Sequence, residues 1–147
     1  MSDHRDALQP VATQFRDVGL YAYVTIDEEN RWTVACDIEE GHIDVRIGPD
    51  SYELEVWATL TGMYVDEESE RRRIARERLA RISLPGLQRG YLNDDHRIVW
   101  DDFEQGIQLR KRVDLPFSAG QRLPAIAFQQ LEELNDTLLF IERQLSS

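Results

Sequence analysis

From Leu20 to Leu60 apolar side chains recur at every second position, and turn residues break the run three times. Alternation at period two puts apolar groups on one face of an extended strand and polar groups on the other; a helix cannot do this. The segments are Leu20–Ile26; then Trp32, Val34, Cys36 and Ile38; then Ile43, Val45 and Ile47; then Leu54, Val56, Ala58 and Leu60. Between them lie Asp27-Glu28-Glu29-Asn30, Gly41 and Gly48-Pro49-Asp50-Ser51, which is turn chemistry. Connections this short join antiparallel neighbours, so the stretch predicts a meander with one buried and one solvated face. Asp37, Asp44, Arg46, Glu53 and Glu55 fall on the solvated parity. So do Tyr21, Tyr23 and Trp57, which gives the polar face some exposed aromatic surface.

Helical periodicity flanks the meander. Leu8, Val11, Ala12, Phe15 and Val18 make one stripe that ends at Gly19, a residue suited to the left-handed C′ position. Pro10 interrupts this stripe and predicts either a short helix starting near it or an irregular lead-in. Residues 66–83 predict a middle helix, with Asp66 as N-cap, acids in the first turn and arginines after them, matching the helix dipole. Arg97–Phe103 and Ile107–Leu115 read as a hairpin. The last helix starts between Ser118 and Pro124. Ala127, Leu131, Leu134, Leu138, Ile141 and Leu145 form a seam of about three heptads. Phe128, Leu139 and Phe140 lie beside that seam as further apolar surface.

The element order is therefore helix-strands-helix-hairpin-helix. It predicts an α+β fold: an antiparallel sheet with an N-terminal helix, a middle helix and a long C-terminal helix, covered by helices on one face. At 147 residues the chain fits a single domain, 1–147.

Charge and cysteine usage exclude some classes. A net charge of −11 argues against general binding to nucleic acid or an anionic membrane, which needs basic surface. The exception is residues 71–97, which hold eight Arg against Glu77, Asp94 and Asp95. Dipole matching and pairing with the preceding acids account for that run without a ligand. The single cysteine, Cys36, allows no intrachain disulfide, and its parity makes it a core residue. No apolar run approaches the ~20 residues of a membrane span, and the first twenty residues do not resemble a signal peptide. These features predict a cytoplasmic protein.

Chemistry is sparse. His4, His42 and His96 are scattered, and no glycine-rich phosphate loop is present. Asp101 and Asp102 are adjacent on a strand and point to opposite faces, so they make a poor acid–base pair. The sequence predicts no catalytic residue, no cofactor and no metal site.

The order of elements resembles the type III secretion chaperone-like fold, which includes the Tir chaperones. It is also similar to the bacterial family of putative sensory transduction regulators. The resemblance rests on three stretches. The first helix runs through Val18-Gly19-Leu20 into a strand ending at Asp27-Glu28-Glu29-Asn30. Gly90-Tyr91-Leu92 precedes the hairpin from Ile98-Val99-Trp100 to Leu109–Leu115. The third is the amphipathic segment Leu131–Leu145. The resemblance implies a non-enzymatic protein-binding module, chaperone-like or regulatory, that dimerises and holds an extended client segment on apolar surface. The candidate contact residues are Tyr21, Tyr23, Trp57, Phe128, Leu139 and Phe140. The competing expectation is a small-molecule or metal-binding domain, or an enzyme, with polar groups such as His96, Arg97 and Asp101 in a pocket.

Overall fold

The computed structural model describes residues 2–38, 41–60, 96–101 and 106–146. The expected middle helix at 66–83, most of the arginine-rich stretch and the Gly90-Tyr91-Leu92 segment lie outside the described residues. The fold is α+β. Helix α1 (Ser2–Asp17) is followed by strands β1 (Ala22–Ile26), β2 (Trp32–Ile38), β3 (Gly41–Ile47) and β4 (Tyr52–Leu60). The chain then forms β5 (His96–Asp101), β6 (Gly106–Leu115), a 3-10 turn (Phe117–Arg122) and the long helix α2 (Leu123–Ser146). The strands form one six-stranded antiparallel sheet in the order β1-β2-β3-β4-β6-β5. The four strands of the meander and the β5–β6 hairpin follow the alternation of their sequences.

The chain divides into two compact units, Met1–Val56 with Arg112–Glu132, and Trp57–Lys111 with Glu133–Ser147. In the first, α1 lies against β1, β2 and β3. Leu8, Val11, Ala12 and Phe15 are buried, as the stripe predicts, whereas its last member, Val18, is exposed because the helix has already ended at Asp17. Each large buried side chain among them contributes roughly 1.5–3 kcal/mol by leaving water. The sheet supplies Ala22, Val34, Cys36, Ile43, Val45, Leu54 and Val56 to the core, and α2 supplies Leu123, Ala127 and Leu131. In the second unit the core contains Ala58, Ile98, Ile107 and Leu109, with Leu134, Leu138 and Ile141 from the continuing α2 seam.

Pro10 does not shorten α1. The helix begins eight residues earlier and passes through it. A proline in a helix removes the bond to the carbonyl four residues back, here that of Asp6. Both Asp6 and Pro10 are exposed, so water can solvate the released carbonyl. The helix stops where expected. Leu20 N–H donates to Phe15 O (3.1 Å) and Gly19 N–H to Arg16 O (2.9 Å), with Gly19 at φ +90°. That bond pair is a Schellman motif, and it turns the chain directly into β1.

Candidate partner-binding surface

The β1–β2 connection sets the geometry of the surface. Asp27 N–H donates to Arg31 O at 2.9 Å, and Asn30 N–H returns to Asp27 O at 3.0 Å. Asn30 takes φ 63°, the left-handed position of a three-residue hairpin loop, where Asn is favoured. One oxygen of the Asp27 carboxylate accepts from the N–H groups of Glu29 and Arg31, both at 2.9 Å. The turn is thus fixed by its own aspartate, and it fixes the β1–β2 register: Ala22 faces Cys36, Tyr23 faces Ala35 and Val24 faces Val34.

β1 is an edge strand of the sheet. Tyr21, just before it, is 78% exposed and its ring lies 5.5 Å from that of Tyr23, which is also exposed. Val18 and Ile26 add exposed apolar surface at either end of the same segment. Two of the expected contact residues, Tyr21 and Tyr23, are therefore brought together on one edge. Trp57 is different. It is half-buried, and the Arg110 guanidinium stacks over its ring at 4.2 Å, so its aromatic face is already occupied. On α2, Phe128 is exposed in the first unit and Leu139 and Phe140 in the second. Leu139 and Phe140 are consecutive, so they point about 100° apart around the helix and do not form one stripe.

The polar face of the meander is only partly solvated: Asp37 is exposed as the alternation predicts, but its neighbours are not. Asp44, Arg46 and Glu53 are only 6%, 8% and 7% exposed. Arg46 reaches Asp27 (2.7 Å), Glu55 (3.4 Å) and Asp44 (3.5 Å). Arg31 pairs with Glu53 at 2.9 Å, and Arg112 of β6 pairs with the other oxygen of Glu53. Charges withdrawn from water need partners, and here each carboxylate shares its cations with a neighbour. His42 sits between Asp44, 2.9 Å from Nε2, and Asp37, which bonds Nδ1. Burial works against its charge, but the bonds and charges of Asp44 and Asp37 outweigh it and raise its pKa. Both ring nitrogens of His42 are engaged by carboxylates, and among the described residues no three His, Cys, Asp or Glu side chains are placed to share a metal ion. Alternation assigned these residues a face, but only long-range geometry showed that they pair. The sequence signal that could have warned of it was the interleaving of opposite charges, Asp44 and Arg46 on β3 against Glu53 and Glu55 on β4.

His96 and Arg97 lie on β5, paired with Lys111 and Arg110 of β6; the Asp101 side chain lies outside the described residues. Cys36 is fully buried on the core face, and burial pushes its thiol pKa up. A protonated, enclosed thiol is a poor nucleophile. Among the described residues, no helix is long and apolar enough to cross a membrane.

No family model matches the chain, and no curated protein matches it. Among solved structures, it is similar to the crystal structure of an uncharacterized protein from Methanothermobacter thermautotrophicus. The TM-score is 0.54 at 11% identity, over 94% of this chain and 97% of that one. At that identity the likeness shows the fold alone, an α+β arrangement spanning nearly the full length of both proteins.

Proposed function

We propose that this chain is a non-enzymatic protein-binding module, chaperone-like or regulatory, that takes an extended segment of another protein on the β1 edge. The observation that carries the reading is the exposed Tyr21–Tyr23 pair on an edge strand. Aromatic rings supply much contact area for little conformational entropy, and an edge strand offers backbone groups to a visiting chain. Two features support it. The charged groups on the polar face of the meander are engaged with one another. The net charge of −11 also keeps exposed apolar surface in solution. The resemblance to secretion chaperones and sensory regulators points the same way.

The test is a photoreactive phenylalanine analogue placed at position 21 in native cells, with Gln9, exposed on α1, as the control position. A discrete crosslinked protein from position 21 alone is the expected result. Equal, diffuse labelling from both positions removes the reading. Sedimentation equilibrium of the purified chain then separates a monomer from the homodimer that the resemblance implies.

A further inference from the structure

Resting on that reading, we propose that the binding stretch is the outward backbone of Val24–Ile26, that its occupant is an apolar strand headed by Lys or Arg, and that Arg16 closes the other end.

The backbone directions follow from the turn. In an antiparallel ladder, residues that exchange hydrogen bonds alternate with residues that do not. Asp27 bonds Arg31, so Thr25 and Tyr23 turn their N–H and C=O groups toward β2, and Ala22, Val24 and Ile26 turn theirs outward. The first outward acceptor is taken: Arg16 Nε donates to Ala22 O at 2.8 Å. Among the described residues, no backbone partner meets the outward groups of Val24 and Ile26. The open edge is therefore short and begins after the arginine.

Side chains and charge define what fits there. Tyr23 flanks the open edge on one face of the sheet and Ile26 on the other, and both are exposed, so an apolar segment is favoured on either side. Beyond Ile26 stand the exposed carboxylates of Glu28 and Glu29, the second of them paired with Arg31 at 3.3 Å, so Glu28 carries most of the attraction. A second copy brings the same acidic surplus and is repelled, whereas a segment headed by basic residues is attracted. Arg16 competes for the carbonyl that an incoming N–H would use, which limits how far pairing spreads. Guarding an edge with a charged side chain is a known way of avoiding unwanted strand pairing.

The experiment uses the full chain and two synthetic probes, Lys-Lys-Thr-Val-Thr-Val-Thr-Val, whose basic end meets Glu28 when it pairs antiparallel to β1, and the same peptide with Glu-Glu in place of Lys-Lys. Amide exchange at Val24 and Ile26 reports pairing. The basic peptide is expected to slow exchange at both amides, to bind more weakly as salt rises, and to outbind the acidic one. Arg16→Met is expected to tighten binding about fivefold, the equivalent of ~1 kcal/mol for one net hydrogen bond released. Val24→Pro removes an outward N–H and no ladder bond, so it is expected to abolish binding while the circular dichroism spectrum is kept. No protection at millimolar peptide, equal binding of both peptides, or unchanged affinity in Arg16→Met each overturns the proposal. If position 21 still captures a cellular partner in that case, the protein-binding reading stands and only the edge assignment fails. Protection without any captured partner means the reverse.

Discussion

Arg46 on β3 places its Nε 2.7 Å from Oδ2 of Asp27, so the central strand is tied to the turn that registers β1 on β2. The same carboxylate holds its own turn through Oδ1, and one side chain thus serves both local and long-range structure. Asp27→Ala removes both sets of bonds and is expected to cost about 2 kcal/mol in urea unfolding, between the limits for exposed and buried pairs. Asp27→Asn keeps an acceptor for the turn and is expected to cost less. Burial alone would raise the Asp27 pKa, but the N–H of Arg31, the bond and charge of Arg46, and the N–H of Glu29 together lower it. A lowered folded-state value means the contribution is present above the ordinary 3.8 and is lost as pH falls through the folded value. The Asp27→Ala chain is expected to show a flatter loss of stability in acid.

His42 behaves in the opposite sense. Its folded-state pKa is raised, so its contribution is complete below the ordinary 6.5 and disappears as pH rises through the folded value. Unfolding midpoints measured from pH 5 to pH 9 are expected to fall across that window. His42→Gln is expected to lose that slope. A slope that persists unchanged in the variant assigns it to another group.

Gly19 is the point where α1 must hand the chain to β1. Its φ is +90°, and a Cβ there would meet nothing within 4 Å, so the cost of adding one is purely conformational. Gly19→Ala is expected to destabilise by about 1 kcal/mol, read as a lower urea midpoint at constant slope.

Tyr21→Ser and Tyr23→Ser test function without disturbing the core. Tyr21 touches little besides Tyr23, and each single change is expected to alter stability by less than about 0.5 kcal/mol. Capture of the partner is expected to drop sharply in the double variant. Retained capture places the contact elsewhere on the molecule.

Cys36 gives an independent measure of core opening. Its side chain is fully enclosed and its thiol pKa is raised by burial. Reaction with an aromatic disulfide reagent is expected to be slow in the native protein and to accelerate in step with urea unfolding. Fast labelling of the folded chain overturns the burial of β2.

Much of the fold was legible because local chemistry fixes it. The alternation from Leu20 to Leu60, the glycine after Val18 and the seam from Ala127 to Ile141 all report on neighbours close in sequence. What stayed hidden depends on distant pairs. Parity placed Arg46 and Glu53 on a wet face, and only the packing of β3 beside the hairpin turn and β4 beside β6 shows them withdrawn from water. Trp57 read as exposed aromatic surface because its cover, Arg110, lies on a strand far along the chain. Pro10 misled for a simpler reason: propensity marks the missing N–H but does not know that the orphaned carbonyl faces solvent. The exposure of Tyr21 and Tyr23 was legible because both fall on the polar parity of their strand. The role of Arg16 was invisible, since a side chain capping a backbone carbonyl leaves no periodic trace.

The strand order has a consequence for the time course of folding. β6 lies between β4 and β5, so Gln108 of β6 meets Thr59 of β4 across 49 residues of chain. Neighbouring strands of the meander, by contrast, are joined by turns of a few residues, and short loops lose less entropy on closure. The first three strands with α1 are expected to assemble first and β6 to dock on β4 afterwards. Pulse-labelled amide exchange during refolding is expected to protect Val34 and Val45 before Leu109. The edge strand β1 is therefore expected to take shape while the far side of the sheet is still open.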